Sequence, residues 1–142
     1  MSLVATIVIQ IKSKTSWEVT EQKEITDPVI KVGRSDSNDI VIKHRYVSRK
    51  HATLFHFPDK EDYEILDGTI AQSSPHEIKI TPSSCGVEVN GIRIEQGEQR
   101  SLKDRDVIVL VPEQVKLTYL RPTDNEILSD IEITYIPPEL LE

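Results

Sequence analysis

The stretch Gly33-Arg34-Ser35-Asp36-Ser37-Asn38-Asp39-Ile40-Val41-Ile42, followed after Lys43-His44-Arg45-Tyr46 by Val47-Ser48-Arg49-Lys50-His51-Ala52-Thr53-Leu54, holds two short apolar runs set between polar loops. Ile40 to Ile42 is too short for a helix and is β-branched throughout, so it reads as a buried strand. A second strand starts at Ala52. Arg34 and Ser48, fourteen residues apart, therefore fall on loops that bracket one short strand.

The same grammar extends in both directions. Residues 4–11 alternate, with Ala5, Ile7, Ile9 and Ile11 on one face of a strand. Further strands are predicted over Trp17 to Ile25, Val29 to Val32, Ala52 to Phe57, Tyr63 to Leu66, Val87 to Val89, Ile92 to Ile94, Val107 to Val111 and Val115 to Leu120. Asn90-Gly91 between two of them is a strong two-residue hairpin signal. No segment carries a sustained period of 3.6 residues. About ten or eleven short strands at this spacing predict an all-β sandwich. Ile70 to Pro82 breaks the spacing and reads as an extended polar loop, with Ile78-Lys79-Ile80 suited to a hairpin of its own.

At 142 residues the chain has the size of one domain. Its single cysteine, Cys85, excludes an internal disulfide, and no run approaches the roughly 18 apolar residues that span a bilayer. A cytoplasmic setting is the expectation, with no membrane partner. Residues 122–142 contain six acidic residues and no Lys or Arg, and so contribute −6 of the net −7. The organisation expected is a domain over 1–121, near −1, and an acidic, proline-containing tail or linker over 122–142. A nearly neutral body gives no general footing for nucleic acid. Thr123, in Arg121-Pro122-Thr123-Asp124-Asn125-Glu126, is a phosphorylatable position on that tail, set against the plainer reading of an unmodified linker.

Motifs for catalysis are missing: the sequence has no Walker A loop, dinucleotide glycine pattern, H-E-x-x-H or G-x-S-x-G. The expectation is a non-enzyme that needs no cofactor. His51 and His56 are five apart on one presumed strand and face opposite sides, which argues against a metal site. Asp36, Asn38 and Asp39 lack the glycine and distant glutamate of a calcium loop and read as a polar turn. Gly33-Arg34 is different in kind. A glycine at a strand end frees the backbone, and the planar fork that follows can grip phosphate with two hydrogen bonds. Ser48 adds a hydroxyl and a backbone N–H, and Lys43, His44, Arg45, Arg49 and Lys50 make the neighbourhood positive. From the residues alone two readings stand, a phosphate site and a solvated basic turn with a structural arginine.

Gly33-Arg34, Ser48-Arg49-Lys50-His51 and Val89-Asn90-Gly91, in this order among short strands, resemble the forkhead-associated (FHA) family over about residues 4–121. The resemblance implies an eleven-stranded sandwich (the SMAD/FHA fold) of two largely antiparallel sheets, with loops at one end that bind a phosphothreonine-containing protein or peptide. By that resemblance Arg34 and Ser48 hold the phosphate, and Arg49 and Lys50 are candidate contacts to the peptide or to the phosphate field. Ser84 can supply a hydroxyl near the phosphate, and Cys85 falls at the position that meets the peptide main chain. Gly33, His51, Asn90 and Gly91 belong to the structural motif, with His51 bracing the loops. The family's S-x-N-G run is Ser83-Ser84-Cys85-Gly86 here, so Cys85 stands where an asparagine would hold the peptide main chain. A thiol is a poor hydrogen-bonding group. Phosphate recognition is therefore expected to survive better than recognition of the peptide backbone, unless the Ile70–Pro82 loop supplies the contact. A partly buried, inert Cys85 is the expected state, with redox sensitivity the alternative.

Overall fold

Ala5, Ile7 and Ile9 are at most 1% exposed, whereas the residues between them are only half-buried, so the alternation in the sequence becomes one inward face. The computed structural model describes residues 5–74 and 77–121. The tail, with Thr123, lies outside the described residues. Thirteen strands and no helix are found among those described: β1 (Ala5–Lys12), β2 (Trp17–Ile25), β3 (Val29–Gly33), β4 (Ile40–Val41), β5 (Ala52–Phe55), β6 (Glu64–Asp67), β7 (Thr69–Ser74), β8 (Glu77–Thr81), β9 (Glu88–Val89), β10 (Ile92–Arg93), β11 (Gln99–Ser101), β12 (Asp106–Val111) and β13 (Val115–Leu120).

Six strands form an antiparallel sheet in the order β10-β9-β12-β13-β1-β2, and five form a second sheet in the order β11-β6-β5-β3-β4. The pair β3–β4 is parallel and the other pairings of the second sheet are antiparallel. These eleven strands are the all-β architecture expected from the sequence. The remaining two, β7 and β8, pair only with each other, with Ile70 opposite Ile80. The polar Ile70–Pro82 stretch is thus mostly a hairpin.

Register puts apolar side chains in pairs across each sheet. Ile7 faces Tyr119 and Ile9 faces Leu117 in the first sheet, while Ile30 faces Leu54 and Leu54 faces Ile65 in the second. All seven belong to one core cluster that draws on both sheets. A fully buried Leu or Ile contributes about 1.5–3 kcal/mol, so this cluster is the main force that closes the sandwich. Tyr63 and Tyr119 meet edge to face in the core, 6.3 Å between centroids. Their hydroxyls donate to Asp27 O and Asp62 Oδ1, which satisfies two polar tips that burial would otherwise penalise.

Several boundaries differ from the sequence expectation. The strand read over Ala52 to Phe57 stops at Phe55, because Pro28 O takes the His56 N–H and the chain then turns. The strand read from Tyr63 begins at Glu64 and runs to Asp67. β11 was not anticipated. Gln99-Arg100-Ser101 has no apolar pattern and becomes a strand by pairing with Leu66, Ile65 and Glu64. At the β9–β10 turn both Asn90 (φ 52°) and Gly91 (φ 84°) are left-handed, the backbone of a type I′ hairpin. Asn90 also bonds Asp106 Oδ1 and the Val107 N–H, fastening the hairpin to β12.

Candidate functional site

Gly33 closes β3, and the carbonyl of Arg49 presses against it from the next loop. A Cβ at this position would overlap Arg49 O and lie 2.8 Å from Arg49 C, so only glycine allows the two loops to meet. Backbone bonds then clamp them: Arg34 N–H donates to Ser48 O (3.0 Å) and Ser35 N–H to Arg49 O (3.3 Å). Asn38, 8% exposed, completes the clamp by donating its amide to Ser35 O (2.9 Å) and Arg49 O (2.7 Å). Its Oδ1 is buried with no partner among the described residues.

Arg34 is half-buried, and its Nε–H donates to Val47 O at 2.9 Å. That bond fixes the guanidinium and leaves its two terminal nitrogens without a partner among the described residues. Arg34 lines an open cleft together with Ser35, Asp36, Lys43, His44, Arg45 and Arg49. Lys43 is paired with Asp36 at 2.6 Å, which leaves Arg34, Arg45 and Arg49 as the surplus positive charge. Arg45 stacks over the exposed Tyr46 ring, 4.8 Å from its centroid.

Ser48 stands at the junction of this loop and the one between β8 and β9. Its Oγ accepts the Ser84 N–H at 2.9 Å, so the hydroxyl proton remains available to a ligand. Its own N–H does not, because His51 Nδ1 takes it at 2.9 Å. The sequence reading offered both groups of Ser48 to phosphate, and the structure withdraws the N–H. His51 is fully buried, and its Nε2–H donates to Gly86 O at 2.9 Å. One imidazole therefore joins the two loops, and burial pulls its pKa below the ordinary histidine value. On the far side, Asp67 (4% exposed) accepts the Ser83 N–H and O–H, at 3.1 and 2.6 Å, while Ser83 Oγ accepts the Gly86 N–H.

Ser84 is exposed and adjoins Ser48. Lys50 turns away from the cleft lining and donates to Ser37 Oγ at 3.0 Å. The Cys85 thiol is half-buried against the core and points its S–H at Tyr46 O, 3.5 Å away. His56 bonds Lys60 O, far from the partners of His51, and no cluster of His, Cys, Asp or Glu suited to a metal occurs among the described residues. Asn38 and Asp67 are the residues that sequence reasoning passed over. In the sequence Asn38 reads only as part of a polar turn. Asp67 carried one usable signal, an acidic residue at the end of an apolar strand directly before Gly68.

The loops of this β-sandwich set a tethered arginine and a serine hydroxyl beside a basic cleft. A family model for the FHA domain matches residues 30–111, more than half of the chain, and the chain belongs to that family. Its members are generally non-catalytic interaction modules, and modules of this kind bind phosphorylated proteins or peptides. Among solved structures, the Slr1951 protein of Synechocystis sp. is 26% identical, with 84% of this chain and 99% of that chain covered and a TM-score of 0.58. Mycobacterium tuberculosis EmbR, solved in complex with a low-affinity phosphopeptide, is 25% identical over 84% of this chain, with a TM-score of 0.58. The match spans only 24% of the EmbR chain. The FHA domain of the CT664 protein from Chlamydia trachomatis shares the fold at 19% identity, covering 83% and 99% of the two chains with a TM-score of 0.60. No curated protein matches the chain. No helix among the described residues is long and apolar enough to cross a membrane.

Proposed function

We propose that this chain is a non-catalytic module that binds phosphothreonine on a partner protein in a kinase-linked, cytoplasmic signalling pathway. Residues 1–121 form the module and 122–142 an acidic arm. The observation that carries this reading is Arg34, a residue lining a cleft with surplus positive charge, whose Nε is spent on Val47 O while its terminal nitrogens have no partner among the described residues. A phosphate brings about −1.5 to −2 charge and three acceptor oxygens, and needs several converging donors. Arg34 offers a fork, Ser48 and Ser84 offer hydroxyls, and Arg49 adds field. The partner EmbR is solved with is a phosphopeptide, which agrees with this chemistry.

Each charge-assisted bond is worth about 1.5–3 kcal/mol, so Arg34→Ala should weaken phosphothreonine-peptide binding more than tenfold. Fluorescence anisotropy with paired phosphorylated and unphosphorylated peptides measures it, and circular dichroism checks the fold. Undiminished binding by the variant ends the assignment.

A second reading is favoured by Cys85, which packs against the core and presents no amide to a peptide main chain. It is an assembly module of the same fold that recognises its partner without phosphate. Equal affinity for the phosphorylated and unphosphorylated peptides would select it.

A further inference from the structure

Arg93 stands outside the basic cleft, on β10, and its guanidinium lies across the backbone of Gly86. A Cβ at Gly86 would sit 2.7 Å from Arg93 Cζ, 2.7 Å from Nη2 and 2.9 Å from Nη1. Three near-equal distances mean that the planar group is face-on to the glycine. Gly86 is suited to this twice over: its φ of +83° is left-handed, and the absent side chain makes room for the plane. Arg93 is exposed and has no hydrogen bond or ion pair among the described residues, although Glu88 is its cross-strand neighbour.

The surface under the guanidinium belongs to the candidate site. Gly86 O is held by His51, and Ser84, two residues back, donates its N–H to Ser48 Oγ. The Arg93 guanidinium lies with one face against the Gly86 backbone. Its N–H edge remains open, and that edge matches a carboxylate in two parallel bonds. Cys85 on the same loop contributes no such donor, since its S–H is directed at Tyr46 O.

We propose that Arg93 reads an acidic side chain flanking the phosphothreonine, making this a module for acidic phosphothreonine sequences with a charge contact separate from the Arg34–Arg49 cleft. The proposal rests on the phosphothreonine reading above. The test is anisotropy with an alanine-flanked phosphothreonine peptide and a series in which one aspartate is stepped through three positions before and four after the phosphothreonine. Wild type should gain about fivefold at one position, the size of a single well-placed carboxylate pair. Arg93→Ala and Arg93→Gln should abolish that gain, keep the affinity for the alanine-flanked peptide and leave the melting midpoint unchanged. A gain that persists in both variants belongs to the cleft and overturns the proposal. So does the absence of any gain, or a variant that loses the alanine-flanked peptide as well. If wild type binds no phosphothreonine peptide at all, the phosphothreonine reading itself has failed, an outcome distinct from the other three.

Discussion

Asn38 offers a test of what holds the site loops together, because two substitutions of different chemistry should part company there. Its amide nitrogen donates to Ser35 O and Arg49 O, and its Oδ1 is buried with no partner among the described residues. Asn38→Ala removes two bonds worth about 0.5–1.5 kcal/mol each. Each carbonyl keeps another donor, Asn38 N for Ser35 O and Ser35 N for Arg49 O, so neither is orphaned. Removing the unpartnered Oδ1 offsets part of the loss, and the net cost should be about 1 kcal/mol. Asn38→Asp keeps the shape but turns a carboxylate oxygen toward two carbonyl oxygens. An uncompensated buried charge costs about 3–5 kcal/mol, so at neutral pH the aspartate variant should be less stable than the alanine variant by about 2 kcal/mol or more. In urea that is a midpoint difference on the order of 1 M. The sign with pH is also fixed. A carboxyl that folding drives toward its neutral form has a raised pKa in the folded state. Stability is then greatest below the unfolded value, about 3.9, and falls as pH rises through the folded one. Urea unfolding followed by circular dichroism between about pH 4 and 7 reads both effects. Equal stability of the two variants at pH 7, or an Asn38→Asp protein that gains stability relative to Asn38→Ala as pH rises, refutes the clamp.

Two further outcomes follow from the same loops. His51 has a pKa lowered by burial, so its contribution to stability is complete above its unfolded value, about 6.5, and is lost as pH falls through the folded value. Wild type should therefore weaken on acidification through this range more steeply than His51→Gln, and parallel pH profiles would remove His51 from the account. Gly33→Ala drives a Cβ into the Arg49 carbonyl, backbone that cannot swing aside, and should cost about 2 kcal/mol or more while lowering phosphopeptide affinity. A variant with unchanged melting and unchanged binding would show that the loops do not depend on this contact.

The fold was legible where side chains repeat with a period. Ala5, Ile7 and Ile9, or Val115, Leu117 and Tyr119, declare a strand because every second residue is buried. β11 carries no such record, since Gln99-Arg100-Ser101 becomes a strand through the backbone it meets and not through its side chains. Arg34 and Ser48 could be singled out because charge and spacing survive in a one-dimensional reading. What could not be read was the use already made of each donor. Nothing in Val47-Ser48-Arg49 says that the Ser48 N–H is committed to His51, or that Lys50 reaches back to Ser37. The place of Arg93 is illegible in the sequence for a related reason: its position over Gly86 depends on the β9–β10 turn, which lies between the two in sequence.

The position of β13 has a consequence for how such a module comes into being. It lies between β12 and β1, so the last strand of the module is an interior member of the larger sheet, and the first strand waits for it. During synthesis, β1 and β2 can form no more than a two-stranded ribbon until residues 115–120 have left the ribosome, and an isolated ribbon is marginal at best in water. Closing a loop of that length is slow compared with local pairing. Completion of the sandwich is therefore a late and nearly single event, and a chain interrupted before Leu120 would expose the apolar face of β1.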